Sequence, residues 1–118
     1  MVDMKIKYST MIVKNIEESA EFYTEKLGFK IDSEYNLPQA RIALLKGEGD
    51  VMIELIEDKT NKIGLYSVGI DVKDMDKEVE KLKNNGIKFE MEPVEITVGY
   101  MALFKDPNGV NIVLIQHN

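Results

Sequence analysis

The chain has 118 residues, of which 44% are apolar and 31% charged; 21 acidic residues against 15 basic ones leave a formal net charge of −6, and there is no cysteine. This size holds one domain and this composition excludes a disordered chain, while the missing cysteines exclude disulfides, thiolate metal sites, iron–sulfur clusters and cysteine nucleophiles. No basic footprint for nucleic acid or an anionic membrane is present, no apolar run approaches the ~20 residues of a membrane span, and the opening Met1-Val2-Asp3-Met4-Lys5 lacks the apolar segment of a secretory signal, so a cytoplasmic protein is expected.

Residues 6–13 are rich in β-branched and apolar side chains between polar flanks and read as a strand. Asn15 is a helix N-cap, with Glu18 three residues on as its capping-box partner. Ile16, Ala20, Tyr23 and Leu27 then recur at helical spacing, and Gly28 follows as the left-handed residue that ends a helix. Strand patterns come next at 29–35, 41–46 and 50–57, the last two joined by the turn Gly47-Glu48-Gly49-Asp50. The polar stretch Asp58 to Gly64 reads as a linker. A strand at 66–72 follows, then a cap at Asp74 and an apolar stripe of Met75, Val79 and Leu82, with Gly86 as the exit. Strands are expected at 87–92, 99–105 and 110–116, with Asp106-Pro107-Asn108-Gly109 turning the chain between the last two.

The signals of the first half recur in the second at an offset of about 58 to 59 residues. Val13-Lys14-Asn15 parallels Val72-Lys73-Asp74, and Val51-Met52-Ile53-Glu54-Leu55-Ile56 parallels Val110-Asn111-Ile112-Val113-Leu114-Ile115. The sequence therefore predicts an α+β domain spanning residues 1–118. It consists of two tandem βαβββ modules, about 5–57 and about 65–117 with a linker at about 58–64, forming a curved mixed-sheet cup. One helix cannot cover both faces of a four-stranded sheet. Val51, Ile53 and Leu55, and likewise Val68, Ile70 and Val72, form all-aliphatic faces that should pack under the helices. Met52, Glu54 and Ile56, and Ser67, Gly69 and Asp71, form mixed faces that should line something partly wet.

These residues carry a family likeness. Val13 with its Lys14-Asn15-Ile16-Glu17-Glu18-Ser19 cap, then Phe22-Tyr23 and Leu27-Gly28-Phe29, resembles the opening of the vicinal-oxygen-chelate superfamily. That superfamily includes glyoxalase I, bleomycin-resistance proteins, fosfomycin-resistance enzymes, methylmalonyl-CoA epimerase and extradiol dioxygenases. Phe104-Lys105-Asp106-Pro107-Asn108-Gly109 followed by Ile112-Val113-Leu114-Ile115 is similar to the same family's last hairpin and strand. The resemblance implies a divalent ion in the cup that chelates two adjacent substrate oxygens as a Lewis acid, with ligands at four strand positions. Here those positions hold Tyr8, Glu54, Ser67 and Val113, and only Glu54 is a customary ligand. No metal or other cofactor is expected to carry over, the residual oxygens for one being Asp71, Thr10 and Asn111 or groups from a partner chain.

The function expected is that of a metal-independent small-molecule-binding member, similar in design to the bleomycin-resistance branch. One rival is a metal-assisted lyase, isomerase or dioxygenase of glyoxalase type; another is a non-enzymatic regulatory or interaction domain. The partner is expected to be a partly apolar small molecule, with no nucleic acid and no membrane, and the resemblance implies a homodimer. The residues expected to line the pocket are Tyr8, Thr10, Met52, Glu54, Ser67, Gly69, Met101, Asn111 and Val113. Glu54 has two readings: a catalytic or ligand-contacting carboxylate, or a relic satisfied by a neighbour such as Tyr8 or Ser67. Arg41, the only arginine, is either a clamp for an anion or a surface residue, Phe22 and Tyr23 belong to a core or an interface, Asp71 is expected in solvent, and His117 is expected at a frayed end.

Overall fold

The alternating apolar stretches become strands and the two capped stripes become helices. The computed structural model describes residues 4–118. In chain order these hold β1 (Met4–Val13), α1 (Ile16–Glu21), β2 (Lys30–Asn36), β3 (Arg41–Lys46), β4 (Met52–Glu57), β5 (Gly64–Val72), α2 (Met75–Asn84), β6 (Met91–Ile96), β7 (Gly99–Lys105) and β8 (Asn111–His117). The chain divides into two compact units, Tyr8–Tyr66 and Ser67–Asn118, the latter together with residues 4–7.

Within the first unit the strands pair in the order β2-β3-β4-β1, and within the second in the order β6-β7-β8-β5. In each, one pairing is parallel (β1 with β4, β5 with β8) and the other two are antiparallel. The register repeats as well. Tyr8 faces Met52 and Thr10 faces Glu54, as Ser67 faces Asn111 and Gly69 faces Val113. The α+β class and the two βαβββ repeats expected from the sequence are the observed architecture.

The aliphatic faces lie under the helices as expected. In the first unit Ile16, Ala43, Leu45 and Leu55 are buried together, with Met11, Val13, Tyr23 and Ile53 packed against them. In the second, Val72, Met75, Val79, Leu82, Ala102 and Leu114 form the core, with Ile70, Phe89 and Phe104 around them. Each large aliphatic side chain so buried contributes about 1.5–3 kcal/mol relative to exposure. Val51 departs from the expectation and is exposed, because β4 begins only at Met52.

The helix ends follow one scheme. Asn15 accepts from the Glu18 N–H at 2.9 Å, and Asp74 accepts from the Lys77 N–H at 3.2 Å. A second acceptor arrives from the last strand of each half: Glu57 Oε2 takes the Ile16 N–H at 2.9 Å, and Gln116 Oε1 takes the Met75 N–H at 2.6 Å. Two of the free donors at each helix start are thus satisfied by side chains. Glu57 also places a negative charge at the positive end of α1. Glu57→Ala and Gln116→Ala are each expected to cost about 1 kcal/mol, readable as a lower urea midpoint, with Glu57→Gln retaining most of the stability.

Three expectations fail locally. The first helix does not run α-helically to Leu27. It leaves α geometry after Glu21 and widens into a π-turn over Phe22–Lys26. The Thr24 hydroxyl back-bonds to the Ala20 carbonyl at 2.9 Å, and the Phe29 N–H reaches back to the Tyr23 carbonyl at 3.0 Å. The extra residue turns Leu27 out of the stripe, leaving it 53% exposed, while Tyr23 stays in the core. The strand expected at 87–92 forms at Met91–Ile96 instead. Ile87 and Phe89 do send side chains to the core, which explains the strand-like pattern, but pairing with β7 starts only at the Glu90 N–H. Lastly, β5 starts at Gly64, inside the expected linker.

The outermost strands of the two orders are both irregular. β2 has a bulge between Ile31 and Ser33, and β6 has one between Met91 and Val94. Pro93 sits in the second bulge, where it has no ladder hydrogen bond to donate. Bulges of this kind keep exposed strand edges from templating further pairing.

Candidate ligand-binding site

The mixed face of the first unit is built from three strands. Cross-strand register places Thr10 beside Glu54 on one side and Leu44 beside it on the other. Tyr8 and Ile12 of β1, Met52 and Ile56 of β4, and Ile42 of β3 share this face by alternation. Glu54 is therefore an acid set among apolar neighbours and only partly buried. Its Oε1 accepts a hydrogen bond from Thr10 Oγ1 at 2.7 Å, and Thr10 is 3% exposed. A charge-assisted bond of this length fixes one carboxylate oxygen and directs the carboxyl group.

The corresponding face of the second unit is less polar. Ser67 and Gly69 of β5 are buried and stand beside Asn111 and Val113 of β8. Leu103 faces Val113 and Met101 faces Ile115 across the β7–β8 pair, so Met101 shares this face with Val113. Each half thus brings together those expected pocket residues that it contains: Tyr8, Thr10, Met52 and Glu54 in one, and Ser67, Gly69, Met101, Asn111 and Val113 in the other.

Sequence reasoning did not single out Leu44, although it adjoins Glu54. Every residue of Ile42-Ala43-Leu44-Leu45 is apolar, so alternation gave no hint of which face each would take. Nor did it single out Thr10 as the partner of Glu54; their shared register is visible only once β1 and β4 are paired.

Other singled-out residues fall elsewhere. Arg41 pairs with Glu17 and donates from Nε to Asn36 Oδ1 at 3.3 Å. The hydrogen bond from the Arg41 guanidinium holds the Glu17 carboxyl below the usual carboxylate range. The arginine is therefore engaged at the surface. Phe22 is 47% exposed and stacks edge-on against Tyr23 at 5.4 Å between ring centroids. His117 is not frayed: it closes β8 opposite Gly99, and the following Asn118 N–H bonds to the Val98 carbonyl at 2.8 Å. Asp71 is not simply solvated either, since its Oδ1 is buried 2.8 Å from His117 Nδ1. The two atoms are in contact, but the ring N–H is not aligned for a straight hydrogen bond.

The donor set at the four positions where the resemblance places a cation is poor. Glu54 supplies a carboxylate already engaged by Thr10, Tyr8 a phenol, Ser67 a hydroxyl, and Val113 has no donor atom. Among the described residues no group of three or more histidine, aspartate or glutamate side chains is placed to hold a metal ion. A chelated divalent transition ion takes three or four imidazole and carboxylate ligands, and these residues do not fit one. Among the described residues no helix is long and apolar enough to cross a membrane.

Paired βαβββ repeats with a mixed face in each define a recognisable class of protein. The chain belongs to the Glyoxalase/Bleomycin resistance protein/Dioxygenase superfamily, whose family model matches residues 5–114. It is similar to the uncharacterized protein YurT of Bacillus subtilis (strain 168), at 29% identity over 126 residues, covering 96% of this chain and 99% of the relative. It is also similar to the lactoylglutathione lyase of Neisseria meningitidis serogroup A, at 27% identity over 125 residues, covering 96% of this chain and 91% of that protein. The crystal structure of methylmalonyl-CoA epimerase from Mycobacterium tuberculosis superimposes with a TM-score of 0.80 at 19% identity, over 96% of this chain and 87% of that one. At that identity the likeness shows the fold.

Proposed function

We propose that this chain is a metal-independent small-molecule-binding member of the superfamily, acting in the cytoplasm as a homodimer. The carrying observation is the Thr10–Glu54 pair: the one customary ligand position that remains is held by a neighbouring hydroxyl inside an apolar surround. Such a fixed carboxylate orients a ligand by accepting its N–H or O–H groups, while Met52, Ile56 and Leu44 supply apolar contact. Tyr8 and Met101, at positions matching the resemblance, extend the polar and thioether surface available to that ligand. The ligand is a partly apolar compound, and neither nucleic acid nor membrane takes part.

A second reading, a lyase of glyoxalase type with Glu54 as base, is favoured by the similarity to a protein named lactoylglutathione lyase. A thermal-shift experiment in chelator separates the two. Bleomycin, S-lactoylglutathione and methylmalonyl-CoA are the probes, each tested on the natural chain and on Glu54→Ala. At a concentration near 100 times Kd a ligand stabilises by about 2.7 kcal/mol, which raises Tm by several degrees in a domain of this size. The expected result is a rise with one probe that persists in chelator and is lost in Glu54→Ala. A rise that appears only with added metal, together with turnover of S-lactoylglutathione, would instead establish the lyase.

A further inference from the structure

We propose a second binding site, for a small oxyanion-bearing ligand (phosphate or carboxylate), at the carboxyl ends of the parallel β5–β8 pair. It does not depend on the pocket around Glu54. A recess of about 360 Å³ opens there, lined by Lys5, Asp71, Val72, Lys73 and His117. All five belong to the second unit. That volume lies at the small end of ligand cavities, and the carboxyl ends of parallel strands are where crevices for ligands form in open sheets.

The chemistry of the lining is unlike the rest of this acidic chain. Two ammonium groups and an imidazole face a single carboxylate. That carboxylate is already committed, with Asp71 Oδ1 buried 2.8 Å from His117 Nδ1. With Nδ1 against Asp71, Nε2 is the ring atom left to meet a ligand. Lys73 is exposed and has no ion-pair partner among the described residues, in a chain whose net charge is −6. It sits in the turn immediately before α2, whose positive end adds to the local field. The first-turn N–H groups of Met75 and Lys77 are already held by Gln116 and Asp74, so side chains would make the contacts to the anion.

Two devices hold the recess in shape. β8 is tied down past His117 by the Asn118–Val98 bond, and Gln116, the neighbour of His117, is fixed to the start of α2. The imidazole is therefore positioned by backbone on both sides, which is what a binding group needs to avoid a large ordering cost.

The test is a titration of the isotope-labelled chain with inorganic phosphate and, separately, acetate at constant ionic strength, followed by two-dimensional NMR. The expected result is saturable shifts confined to the amides of residues 5, 71–73 and 117, with at least about tenfold weaker binding in the Lys73→Gln/His117→Asn double variant. Preference for phosphate over acetate assigns a phosphoryl ligand, and the reverse assigns a carboxylate. The Tm of the double variant, compared with the natural chain, shows that the fold is kept; if it is not kept, Lys73→Gln alone is titrated. Shifts that fail to saturate, that spread over the whole surface, or that are the same in the variant would overturn the site.

Discussion

Gly99→Ala is expected to destabilise the protein by at least about 3 kcal/mol, and to leave part of the expressed chain unfolded. A Cβ at this position would lie 1.8 Å from the Gln116 carbonyl oxygen, and the residue's φ of +148° is one that side-chain-bearing residues rarely adopt. The obstacle is backbone, so no rotamer relieves it. Gly99 opens β7 opposite His117, and Tyr100 pairs with Gln116. Relief would require the end of β8 to move away, and that end carries both the Gln116 bond to α2 and the His117 contact with Asp71. Gly86 is the control. It has a φ of +91° but nothing within 4 Å of its Cβ position, so Gly86→Ala should cost only the backbone strain of about 1 kcal/mol. Urea unfolding of the two variants measures the difference, and equal losses would show that the close approach is not as described.

The Thr10–Glu54 bond supplies the second large effect. Thr10→Val removes the hydroxyl from a partly buried carboxylate and should cost about 1–3 kcal/mol. Glu54→Met leaves the Thr10 hydroxyl, 3% exposed, without its acceptor, at a similar order of cost. The double variant removes both partners and places two apolar side chains opposite each other, so it should be more stable than the sum of the single losses implies. A double-mutant cycle by urea unfolding is expected to show positive coupling of about 1 kcal/mol or more. Strict additivity would mean that the bond contributes nothing and that Glu54 is held some other way.

Much of the architecture is legible in the sequence because the signals come in repeated pairs. Asn15 and Asp74, Gly28 and Gly86, and the face alternation around Ile53 and Ile70 all act within a few residues, and the structure uses each as expected. What escaped depends on distance or on competition. The π-turn after Glu21 follows from a threonine hydroxyl competing for a carbonyl, which spacing alone does not reveal. The late start of β6 reflects core-seeking by Ile87 and Phe89 without strand pairing. Glu57 and Gln116 cap helices that lie 41 residues away in sequence, a contact no local pattern contains. The same holds for the site. Glu54 stood out as an acid in an apolar strand, whereas its hydroxyl partner and Leu44 became visible only through register. His117 was misjudged because proximity to a terminus says little about a residue that a strand and a following N–H hold in place.

Equilibrium dialysis of the natural chain and of Glu54→Ala against nickel, zinc and manganese, with ion content read by mass spectrometry, puts the central reading at risk most directly. Hydrocarbon and lone hydroxyl groups cannot replace imidazole and carboxylate, so both proteins should retain the same small, sub-stoichiometric amount of each ion. One ion per chain on the natural protein, absent from Glu54→Ala, would contradict the account and return the site to metal chemistry.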